Sequence, residues 1–150
     1  MQFEQAFLAA TKIFLDTAPV IYYIERNAQY FAIVQPIFQE IQNGTFQAVT
    51  SPITLAECLI LPTRQGLQKL QQDFTAVIVS GTNTFFQPSD TVVGCKTAEI
   101  RVKYNLKLPD ALQISTAIVA GCDVFLTNDT ALERVTELRV VTIKNLTLSS

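Results

Sequence analysis

The chain has 150 residues, enough for one domain with its own core. Hydrophobic residues make up 49% of it and charged residues 16%, a balance that excludes a disordered chain. A net charge of −2 and a pI near 5.0 exclude a protein that grips nucleic acid through a basic surface alone, so a polyanion would have to be held another way, for instance through bound cations.

The opening segment MQFEQAFLAATKIFLD has a short apolar run, carries Glu4 and has no basic cluster before it, so it does not read as a signal peptide. No apolar stretch reaches membrane-spanning length, and a cytoplasmic protein is expected. Residues 13–16 predict a short apolar strand ended by the turn that begins at Asp16. Pro19 suits the first turn of a helix through VIYYIE. A second helix is predicted over 28–42, closed by Gly44. Residues 46–50 read as the next strand. Ser51 then caps a helix with Pro52 at its first position, and Pro62 limits it. Helix is predicted over 66–80, strand over 84–87 and helix over 89–104. Pro109 opens a further helix that Gly121 ends, and strands follow at 123–127 and 138–143. Strand and helix in alternation imply a mainly parallel sheet with helices on both faces. No repeat or linker divides residues 1–150, so a single α/β domain is expected.

Histidine is absent, which removes the commonest general base and every histidine-containing zinc site. Cys58, Cys95 and Cys122 are widely spaced and odd in number, which suits reduced thiols, all three serving as small core residues.

Ligands of open α/β sheets bind beyond the carboxyl ends of the strands. Asp16 closes the strand IFLD and Asp129 closes VFLTND. Either aspartate alone could be a turn or cap residue; two in equivalent places shift the balance toward a site. Glu57 lies on a largely apolar helix face beside Ile53, Thr54, Ile60 and Leu61, where an unpaired carboxylate is costly to bury. A salt bridge or a rim position in water would also account for it. Asp110 falls in the first turn of the helix DALQISTAIVA, where the helix dipole alone would favour an acid. If all four met in one cleft they would repel: two unit charges about 5 Å apart cost roughly 3 kcal/mol at an effective dielectric near 20. Hard, oxygen-loving cations such as Mg²⁺ or Mn²⁺ would relieve that repulsion and could serve phosphodiester hydrolysis without histidine.

The segments IFLDTAPVIYYIE, SPITLAECL and KYNLKLPDALQISTAIVAGCDVFLTND, in this order over nearly the whole chain, resemble the PIN domain, in particular VapC-type toxin nucleases. The resemblance implies a three-layer α/β/α fold with an acidic pocket and Mg²⁺- or Mn²⁺-dependent endoribonuclease activity on RNA. It implies Asp16 and Asp110 as principal metal ligands and Glu57 as a helix acid that binds or orients the metal. Asp129 would be the fourth acid, placed for a second metal or the attacking water, with Thr127 and Asn128 beside it to orient it. It further implies a homodimer neutralised by a small antitoxin protein. Thr130-Ala131-Leu132 depart from relatives that carry another acid or an aromatic residue there.

Other groups have plainer readings. Lys96, Arg101, Lys103 and Lys107 could hold RNA phosphates but read better as a solvated helix face. Tyr22, Tyr23, Tyr30 and Phe31 could stack on bases, but core or dimer packing suits them better. A haloacid-dehalogenase-type phosphatase wants a second aspartate two residues after the first, where Ala18 stands. A non-catalytic PIN-like module that binds RNA or protein would keep the fold without the chemistry.

Overall fold

The computed structural model describes residues 1–148. Five strands form one parallel sheet: β1 (Lys12–Leu15), β2 (Gln47–Thr50), β3 (Thr84–Phe86), β4 (Val124–Thr127) and β5 (Arg139–Thr142), in the order β3-β2-β1-β4-β5. Seven α-helices are described with them: α1 (Phe3–Ala6), α2 (Thr17–Ile24), α3 (Phe31–Gln42), α4 (Pro52–Arg64), α5 (Gln68–Ser80), α6 (Thr91–Tyr104) and α7 (Leu108–Val119). From β1 the chain steps one way to β2 and β3, then crosses back to β4 on the other side of β1. The carboxyl ends of β1 and β4 therefore flank the point where the winding reverses, which is where open α/β sheets open a crevice.

Side chains of a strand alternate between faces, and both faces here are covered. Ile13 and Leu15 of β1 point into a core shared with Val34 and Ile37 of α3 and with Phe74 and Ile78 of α5. Phe14, between them, points into a second core with Ile100 of α6 and Ile114 of α7. Phe14 pairs in register with Phe125 of β4, and their rings stack at 5.2 Å. The expected three-layer α/β/α arrangement with a parallel sheet is what the chain adopts.

Local departures from the sequence reading have physical causes. Helix α4 does not stop at Pro62 but runs to Arg64. A proline deprives the helix of only the bond to the carbonyl four residues back, here that of Cys58, and so near the end little else depends on it. The Pro62 carbonyl is then used by Leu67 N at 2.9 Å and Gln71 Nε2 at 3.3 Å. The short α1 was not anticipated; the flanking Gln2 pairs with Thr147 and holds it against the sheet. Cys58 and Cys122 are buried as expected, but Cys95 is exposed on α6 and is no core residue. Tyr23 stacks on Phe38 at 4.0 Å and Tyr22 on Tyr30 at 4.8 Å, so these rings pack within the fold. Lys96 and Lys103 pair with Glu99 and Glu137, while Arg101 and Lys107 are exposed. Among the described residues no helix is long and apolar enough to cross a membrane.

A candidate active-site cleft lined by four acids

Asp16, Glu57, Asp110 and Asp129 all line one cleft of about 410 Å³, together with Thr17, Tyr22, Thr127 and Asn128. Each reaches it from a different element. Asp16 is the residue after β1 and stands at the cap position of α2, yet its side chain makes no cap bond. Its carboxylate turns instead into the cleft, where Oδ2 accepts from Thr127 Oγ1 at 2.8 Å and Oδ1 from Gln113 Nε2 at 3.3 Å. Asp129, just beyond β4, does cap: Oδ1 accepts from Ala131 N at 3.0 Å and starts the short 3-10 turn Thr130–Arg134. Thr127 joins the two strand ends, since its hydroxyl donates to Asp16 and accepts from Asp129 N at 3.1 Å.

Glu57 is exposed at the cleft rim on α4 and accepts from Thr17 Oγ1 at 2.8 Å. Asp110 is half-buried in the first turn of α7. Asn128, expected to orient Asp129, turns elsewhere: Nδ2 donates to the Tyr22 hydroxyl at 3.0 Å and Oδ1 accepts from Lys144 N at 2.9 Å.

Burial raises the pKa of Asp16, the Thr127, Thr17 and Gln113 hydrogen bonds oppose that rise, and the charge of Glu57 adds to it. Burial likewise raises Asp110, and the charges of Asp16 and Asp129 push it further, against the pull of Lys107. The acids are thus close enough to oppose each other's ionisation. Cys58, packed under the site, is pushed up to about 12 by burial and then by the charges of Glu57 and Asp16, which leaves it an inert thiol.

The donor set is oxygen-rich, anionic and free of histidine, which suits a hard divalent cation. Among the described residues, however, no three Asp, Glu, Cys or His side chains gather closely enough to enclose an ion.

Sequence reasoning did not find the polar layer beneath the cleft. Gln113, Ser51 and Thr54 are all buried and hydrogen-bonded to one another under Asp16. The one available signal was Gln113 itself, a long polar side chain one turn after Asp110 on α7.

Residues 13–138 match the family model of the PIN domain, and the chain belongs to that family. No curated protein sequence matches it. Among solved structures, it resembles VapBC2 from Rickettsia felis bound to a promoter DNA fragment, at 17% identity and a TM-score of 0.69 over 88% of this chain and 98% of that one. It resembles DNA-bound VapBC from Salmonella typhimurium at 21% identity and a TM-score of 0.63, over 88% and 98%. VapC20 of Mycobacterium tuberculosis, a toxin that cleaves the sarcin–ricin loop, is similar at 15% identity and 0.65, over 85% and 98%. At these identities the likeness is one of fold.

Proposed function

We propose that this chain is a Mg²⁺- or Mn²⁺-dependent endoribonuclease, the toxin half of a toxin–antitoxin pair. The observation that carries the reading is the convergence of four acids, from four separate places in a PIN-domain chain, on one cleft at the switch point of the sheet. The similarity to VapBC complexes and to a toxin that cleaves the sarcin–ricin loop supports the substrate class and the protein partner.

Asp16 and Asp110 are the residues that would hold the ion. When bound, the ion supplies charge neutralisation at the scissile phosphate and acidifies the attacking water. Thr127 keeps the Asp16 carboxylate facing the cleft. Glu57, exposed at the rim and hydrogen-bonded by the Thr17 hydroxyl, would bind or orient the ion. Asp129 has one oxygen engaged in its cap, which leaves the other to orient water or a second ion. A small antitoxin and a second copy of the chain are the partners this reading calls for. Exposed apolar side chains on α4 (Ile60, Leu61) and around α6 (Val92, Val102, Leu108) offer surface for them to cover.

The test is cleavage of RNA by the purified chain in Mn²⁺, with and without chelator. Chelator-sensitive cleavage that is lost in Asp16→Ala is the expected result. RNA binding without cleavage in every metal would instead mark a non-catalytic module.

A further inference from the structure

Gln113 lies three residues after Asp110, on the inward side of α7, and is only 2% exposed. A buried amide must pair both its donors and its acceptor, since a group left unpaired keeps the full cost of its desolvation. The surroundings of Gln113 favour one orientation. Ser51 Oγ accepts from Thr54 N at 3.1 Å, and its own proton has Gln113 Oε1 at 2.5 Å as the nearer acceptor, against Thr54 Oγ1 at 3.4 Å. Thr54 Oγ1 spends its proton on the Leu15 carbonyl at 3.1 Å, so toward Gln113 Nε2, at 2.8 Å, it can only accept. The amide nitrogen is thereby aimed at Asp16 Oδ1, 3.3 Å away, an acceptor in its ionised form. With Thr127 on Oδ2 and the Thr17 backbone N–H as a further donor, the Asp16 carboxylate still has acceptor capacity unused.

We propose that Gln113 is a positioning residue: anchored by Ser51 and Thr54, it fixes the Asp16 carboxylate so that its remaining acceptor capacity faces the cleft and a divalent cation. The proposal rests on the metal reading above and deepens it. Groups that orient a metal ligand without touching the metal typically change affinity 10–100-fold when removed. A merely structural Gln113 would tie α4 to α7 and alter stability alone.

Direct Mn²⁺ binding to the full chain, followed by the electron paramagnetic resonance signal of the free ion, separates these roles. Gln113→Met keeps the volume and removes the amide; it should bind Mn²⁺ about tenfold more weakly than the unaltered chain. Ile114→Val trims the adjacent core position and should lower the melting temperature with Mn²⁺ affinity unchanged. Ser51→Gly frees the amide while keeping a residue tolerated at a helix cap, and should weaken Mn²⁺ in the same direction. Wild-type Mn²⁺ affinity in folded Gln113→Met, or in Ser51→Gly should Gln113→Met not fold, overturns the proposal while the metal reading stands. Equal weakening in Ile114→Val overturns it too. An unaltered chain that binds no Mn²⁺ defeats the metal reading and this proposal with it.

Discussion

Asp110 shows how one side chain is set against its neighbours. Burial and the charges of Asp16 and Asp129 raise its pKa above the ordinary value near 3.8, against the pull of Lys107. The folded state thus holds this proton more tightly than the unfolded state. Stability from the group is fully present below the ordinary value and is lost as pH rises through the raised one. Asp110→Asn should therefore melt higher than the unaltered metal-free chain at pH 7, with the gap closing on acidification, and should lose RNA cleavage. Full cleavage by a folded Asp110→Asn protein would remove this residue from the mechanism. The thiols give a second test at this scale. Cys58 and Cys122 are buried and pushed up to about 12, whereas Cys95 is exposed. At pH 8 an aromatic disulfide should titrate one thiol quickly in the folded chain and three after denaturation. Rapid reaction of more than one would show that the packing over Cys58 or Cys122 opens.

At the scale of elements, two glycines set where helices end. Gly121 closes α7 with φ +77°, and a Cβ there would meet only Lys12 Nζ at 3.9 Å. Gly121→Ala should therefore carry the backbone cost alone, about 1–2 kcal/mol. At Gly81, after α5, an added Cβ would lie 2.5 Å from the Val77 carbonyl oxygen, so Gly81→Ala forces a backbone shift and should cost more. Urea unfolding of both variants checks the order; a larger loss at Gly121 would contradict it. The same distinction between local and distant causes explains what the sequence revealed. The strands around Asp16 and Asp129 were legible because apolar runs with turn residues need no distant partner. Pro62 does not end α4 because, so near the end of the helix, only one hydrogen bond is at stake. Helix α1 spans four residues, too few for a period, and is held by Thr147 from the far end of the chain. Asn128 sits beside Asp129 in sequence, yet its partners Tyr22 and Lys144 arrive from elsewhere. Gln113 is one of several polar residues along α7, and only folding brings Ser51 and Thr54 to meet it.

For the molecule as a whole, the parallel sheet and its crossover convert four residues spread from position 16 to position 129 into one cleft. The fold thereby gathers negative charge in a chain whose net charge is already −2, and a polyanionic substrate would be repelled from such a cleft without a counterion. Cation binding should therefore act on stability as well as on chemistry. A ligand that binds only the folded state stabilises it by about 2.7 kcal/mol at a hundred times its dissociation constant. For a domain of this size each kcal/mol moves the melting temperature by about 2–4 °C, so saturating Mg²⁺ or Mn²⁺ should raise it by about 5–10 °C. Na⁺ at equal ionic strength should not reproduce the shift, because screening acts on all surface charges while the cleft requires a cation held between carboxylates. Asp16→Ala should abolish the Mn²⁺-dependent increment while the metal-free protein still melts cooperatively. Identical melting curves with and without millimolar Mn²⁺ would mean that the cleft carries its charge unaided, and the hydrolytic reading would lose its physical basis.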